Sequence, residues 1–190
     1  AFLRAQQLVN AQDWVNALSA LDIIRKLDAT YKTAQVDGMY YFALRNLGND
    51  LILKHGNLEG GIYHLTLAER FGQLDNTSIQ LRESARLYII GASFWELDWR
   101  QAIAYFSQVG SNVWDGDMTA GERLNTAYIK YGDYFFEQQN FCEAYDQYSG
   151  ATTLDERATW RLTKSTAECY PPTEAPVIDV PVATEAPVTP

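Results

Sequence analysis

His55, His64, Cys142 and Cys169 are all the imidazole and thiol groups this chain has. Neither histidine stands at metal-ligand spacing from a cysteine pair or a carboxylate, so both read as ordinary helix and turn residues and no metal ligand is assigned. Asp115-Gly116-Asp117, with Asn112 and Glu122 nearby, gathers the oxygen donors that calcium takes. Their positions do not follow the EF-hand spacing, and a loop and helix-capping role is expected instead. There is no Cys-x-x-Cys, no phosphate-cradling glycine loop, no Gly-x-Ser-x-Gly and no nucleophile beside a histidine. No catalytic residue and no cofactor is nominated, and the chain reads as non-enzymatic.

The elements that carry these groups follow from proline. All six prolines fall within residues 171–190, whereas residues 1–170 hold every aromatic side chain and both cysteines. With no proline to break a helix and apolar positions at helical spacing, residues 1–170 read as an all-helical domain. Residues 171–190 carry no aromatic and no basic side chain, and repeat Thr173-Glu174-Ala175-Pro176-Val177 as Thr184-Glu185-Ala186-Pro187-Val188 eleven residues on. That composition cannot build a core, and it reads as an extended Pro/Thr/Val-rich tail or linker. The formal charge of −9 argues against nucleic acid, whose phosphates require clustered Lys and Arg. The longest apolar runs, such as Leu87 to Ala92, are far short of the ~20 residues of a membrane span. The chain opens at Ala1 with no methionine, which leads us to expect an upstream segment, a signal peptide or anchor being one candidate.

Four segments align within the helical part: Trp14-x-x-Ala17-x-x-x-Leu21, Leu58-x-x-Gly61-x-x-x-Leu65, Trp99-x-x-Ala102-x-x-x-Phe106 and Phe141-x-x-Ala144-x-x-x-Tyr148. Their starts lie 44, 41 and 42 residues apart. Each places large, small and large side chains on one helix face, with the small one where a neighbouring helix must come close. Each is preceded by a further amphipathic helix, in the last unit the one carrying Tyr128, Tyr131-Gly132 and Phe135. Thr77-x-x-Gln80 and Thr119-x-x-Glu122 are capping-box patterns for two of these preceding helices, and Asp155 is the candidate N-cap of a last helix from about Glu156 to Cys169.

On these residues the chain resembles the tetratricopeptide repeat (TPR) family over roughly residues 1–153. The fourth unit matches the pattern almost throughout. The closing proline is missing everywhere, and the repeat is nearer 42 than 34 residues, which predicts lengthened loops or helices. The resemblance implies an all-α, right-handed solenoid of about four TPR-like hairpins, ended by a capping helix. In that family ligands lie extended in a groove lined by the first helices. Carried over by alignment, the groove would comprise Asn46 and Asp50, then Leu87, Phe94 and Trp95, then Ile129, Asp133 and Phe136. The competing reading of Phe94 and Trp95 is ordinary inter-helix core.

If the fourth hairpin and the last helix fold back around Leu154-Asp155, Cys142 and Cys169 come nearly opposite each other. A disulfide there would pin the cap, the alternative being two free buried thiols. A disulfide would place the protein outside the cytoplasm: secreted, periplasmic or at a cell surface. Two functional readings follow. One is an extracytoplasmic protein–protein interaction scaffold that holds an extended peptide in its groove. The other is a self-assembling structural subunit of a filament or surface layer, whose residues 171–190 dock on another copy of itself.

Overall fold

The computed structural model describes residues 1–171, so the tail beyond Pro171 lies outside the described residues. Among those described there are nine helices and no strand beyond a lone bridge between Trp114 and Thr119. They are α1 (Phe2–Asn10), α2 (Trp14–Leu27), α3 (Thr33–Leu53), α4 (Leu58–Ala68), α5 (Asn76–Ser93), α6 (Trp99–Phe106), α7 (Ala120–Glu137), α8 (Phe141–Gly150) and α9 (Glu156–Cys169). The all-α expectation is met.

The four aligned segments begin at the first residues of α2, α4, α6 and α8. Asp13, Asn57 and Asp98 precede three of them and accept a hydrogen bond from the third backbone N–H of the helix, satisfying a donor that the helix itself leaves unpaired. Thr119 and Glu122 form the expected capping box on α7, and Asp155 caps α9. Thr77 does not cap α5. Asp75, two residues earlier, takes that place and accepts from Ser78 N–H, and the carboxylate displaces the hydroxyl as the stronger acceptor.

Each helix packs on the next in chain order, and α3 also touches α1 and α5, while α9 touches α7 as well as α8. The close approach within a hairpin depends on size. Ala17, Gly61, Ala102 and Ala144 are all buried, and the large residues four positions on, Leu21, Leu65, Phe106 and Tyr148, are at most 1% exposed. In three hairpins the latter sit on a glycine of the preceding helix. A Cβ on Gly48 would lie 2.7 Å from Leu65 Cγ, one on Gly91 3.2 Å from Phe106 Cζ, and one on Gly132 2.8 Å from Tyr148 Cδ1. The α3–α4 crossing is tightest, since a Cβ on Gly61 would also meet the Gly48 carbonyl oxygen at 2.8 Å.

Residues 107–119, between α6 and α7, fold back over the α3–α4 turn. Trp114 Nε1 donates to the Leu53 carbonyl at 3.2 Å, and Gly56, left-handed at φ 64°, lies where any side chain would strike the Gly116 backbone. At the C-terminal end α9 covers α8: Ala144, Tyr148 and Ala158 form a small core with Ile129, Phe135, Phe136, Leu154 and Leu162 around it. Cys142 and Cys169 are joined by a disulfide, their Cα atoms 4.9 Å apart. Closing a loop of this length contributes about 3 kcal/mol.

Glycine substitutions separate packing from propensity. Gly38 and Gly132 both lie inside helices, but a Cβ on Gly38 meets nothing within 4 Å. Gly38→Ala will therefore stabilise the fold by roughly 0.5–1 kcal/mol, whereas Gly132→Ala, pressed on Tyr148, will destabilise it by about 2 kcal/mol. Urea unfolding followed by circular dichroism checks both signs.

Candidate functional site

The predicted groove residues lie at separate places along the row of helices, and most have internal partners. Asp50 accepts from Trp14 Nε1 at 3.1 Å and pairs with Lys54 at 2.8 Å, tying α3 to α2. Asn46 donates to the Phe42 carbonyl of its own helix. Leu87 and Ile129 are half-buried against the two cores. Phe94 and Trp95, expected on the first helix of their unit, lie just past its end: α5 stops at Ser93, and the turn to α6 runs through a left-handed Glu96 to the Asp98 cap. There Phe94 stacks on Tyr105, and Trp95 meets Trp99 and Phe106 edge to face.

Asp133 is buried, and three groups share its carboxylate. Tyr148 Oη donates at 2.7 Å, and Arg161 and Arg157 each donate at 2.9 Å, so α7, α8 and α9 meet at one charge. Phe136 beside it packs on Phe141 and Trp160, with the Arg161 guanidinium 4.9 Å from its ring centre.

The acidic loop is likewise committed. Asp115 accepts from the Asp117 and Met118 N–H groups and pairs with Arg123 at 2.6 Å. Burial works against its charge, but the Met118 N–H, Arg123 and the Asp117 N–H together hold the carboxyl below the usual carboxylate range. Among the described residues no cluster of metal-ligating side chains exists. Arg123 also donates to Tyr88 Oη at 2.8 Å and lies 4.8 Å from the Trp95 ring centre, while Tyr88 Oη donates to the Met118 carbonyl at 2.6 Å.

An open, ligand-sized space lies elsewhere, in a cleft of about 490 Å³ between α2, α3 and α4. Helical spacing builds it. Leu18, Asp22 and Arg25 share one face of α2, Tyr40 and Leu44 one face of α3, and Tyr63, His64 and Leu67 line it from α4, followed by Arg70 and Phe71 in the next turn. Tyr40 and Phe71 stack, with ring centres 4.9 Å apart and planes within 7°. Tyr40 Oη donates to Asp22 at 2.6 Å; burial and then that carboxylate push the phenol well above its ordinary pKa. His64 Nδ1 faces the Gly60 carbonyl at 2.7 Å, so Nδ1 carries a proton and Nε2 is left for another partner.

The two arginines of the cleft differ. Arg25 is spent on Asp37 and on the carbonyls of Ala29, Tyr31 and Thr33, stapling the α2–α3 connection. Arg70 makes no ion pair with any described residue and is exposed at the rim. An apolar, aromatic floor beside an unpaired guanidinium suits a ligand with both an apolar body and a carboxylate.

None of the eight predicted groove residues lines this cleft. Tyr63, Arg70 and Phe71 went unassigned because the groove was carried over from first helices alone, whereas these three lie on α4 and in the turn after it; Tyr40 is on a first helix, α3, but not at an aligned groove position. The spacing of Tyr63, Leu67, Arg70 and Phe71 was the available signal.

Three buried phenols, Tyr40, Tyr88 and Tyr148, resist ionisation, Tyr88 being pushed up to about 12 by burial against the pull of Arg123. A raised folded pKa gives stability that is complete below the unfolded phenol value near 10 and is lost as pH rises toward the folded one. The unfolding free energy will therefore fall steeply above pH 10, and Tyr88→Phe will remove about one proton from that slope between pH 10 and 12. Urea titrations across this range measure it.

No protein-family model matches the chain, and neither a curated protein nor a solved structure does.

Proposed function

We propose that this chain is a non-enzymatic, extracytoplasmic scaffold that binds an extended, acidic and apolar peptide. In this reading residues 1–170 form a right-handed solenoid of four TPR-like hairpins capped by α9, and residues 171–190 form an extended tail. Support for the solenoid comes from the chain-order packing and from four second helices that start in register with the aligned segments. The disulfide supports an oxidising compartment.

The observation that carries the binding function is the cleft between α2, α3 and α4. Half-buried Phe71, backed by the buried Tyr40 ring, offers with Leu18 and Leu67 an apolar surface of the kind on which polyproline-like segments dock. Arg70 supplies a planar donor fork for a carboxylate. The binding surface in this reading is thereby the cleft between α2, α3 and α4 and not the row of first helices.

Two measurements test this reading. Arrays of synthetic extended peptides, with acidic, neutral and basic versions of each sequence, will show selective binding of acidic Val/Pro-rich members to the full chain. Arg70→Glu will weaken that binding roughly tenfold or more with the circular dichroism spectrum unchanged. Equal binding of basic and acidic peptides would sink the assignment. For location, protein taken from its source and alkylated before lysis will migrate faster without reductant than with it; identical mobility would remove the case for an oxidising compartment.

A further inference from the structure

We propose that the peptide taken by this cleft is the Thr-Glu-Ala-Pro-Val motif of a second copy of the same chain. The inference rests on the scaffold reading above and names its ligand. The motif occurs twice, at Thr173–Val177 and Thr184–Val188, in a segment with three carboxylates (Glu174, Asp179 and Glu185) and no basic group. The cleft offers complementary groups: Arg70 for the glutamate, the Phe71 ring backed by Tyr40 for the proline ring, and leucine side chains, Leu18 and Leu67 among them, for valine. Asp22, the acidic member of the lining, is occupied by Tyr40 Oη.

Reach decides which copy supplies the first motif. The described chain ends at Pro171, just after α9, and α9 packs on α7 and α8, whereas the cleft lies among α2, α3 and α4. Thr173 follows Pro171 by two residues, a span of at most about 7 Å, less than the ~9 Å between the axes of adjacent packed helices. The first motif cannot cross the intervening helices to its own cleft, so the cleft that takes it belongs to another molecule. Such a tail-into-cleft contact joins unlike surfaces and repeats from copy to copy. The second motif, eleven residues on, gives the same donor chain a second grip at ~34 Å of extended length.

Charge reversal on the full chain tests this. By sedimentation velocity the wild-type chain will associate as its concentration rises. Arg70→Glu, and separately the pair Glu174→Arg with Glu185→Arg, will each raise the concentration needed by roughly tenfold. The chain carrying all three substitutions will recover association. Tyr63→Ala, at a 62% exposed rim position, supplies a second cleft variant that leaves the core untouched. Association unaffected by either reversal overturns the proposal. So does a wild-type chain that stays monomeric while a labelled peptide of residues 171–190 binds it only after the two glutamates of its own tail are reversed, since the cleft would then hold its own tail. If that peptide fails to bind but other acidic Val/Pro peptides of the array do, the self-recognition is wrong and the scaffold reading stands. If none binds, both fall.

Discussion

The rest of this fold depends on one steric condition: in three of the four hairpins a bulky side chain along the second helix needs a nearly bare stretch of backbone on the helix before it. Gly48, Gly91 and Gly132 supply that stretch for Leu65, Phe106 and Tyr148. Glycine costs a helix interior up to ~1 kcal/mol, and close packing of a fully buried large side chain returns more than that. The condition recurs at nearly even spacing in these three hairpins, and the helices touch mainly their sequence neighbours.

Dry contacts alone would let neighbouring helices slide, and polar ties at the junctions fix their positions. Trp14 with Asp50 and Tyr40 with Asp22 join α2 to α3, Arg82 with Glu69 joins α5 to α4, and Tyr148, Arg157 and Arg161 converge on Asp133 from α8 and α9. Asp133 is the buried carboxylate among them, and depriving it of its partners is costly, so that tie penalises any register other than its own. Ties of this kind also consume charged side chains, which is why Arg70, left without one, stands out beside an apolar floor.

Sequence patterns made the second helices legible to the residue, because a large–small–large face must begin where an Asp or Asn cap ends the preceding turn. The cap on α9 and the Cys142–Cys169 pairing were legible too, since antiparallel helices of similar length place their far ends together. What could not be read locally was set by contacts between distant segments. Phe94 and Trp95 continue the apolar pattern of α5, yet the chain turns there because Asp98 must cap α6. Asp133 looked like a groove acid, and only the arrival of Arg157 and Arg161, more than twenty residues on, makes it a core residue. The cleft draws on three helices separated by two turns, and no periodicity within one helix reports how far apart those helices stand.

The disulfide has a mechanical meaning apart from its thermodynamic one. Cys169 lies two residues before Pro171, where the described chain ends, and its partner Cys142 is the second residue of α8. Tension applied to the tail therefore passes through a covalent bond into the start of α8, and the loop from residue 143 to 168, which holds α9, bears none of it. A tether pulled from its C-terminal end would load the α7–α8 hairpin directly, leaving the cap unstretched for as long as the disulfide holds.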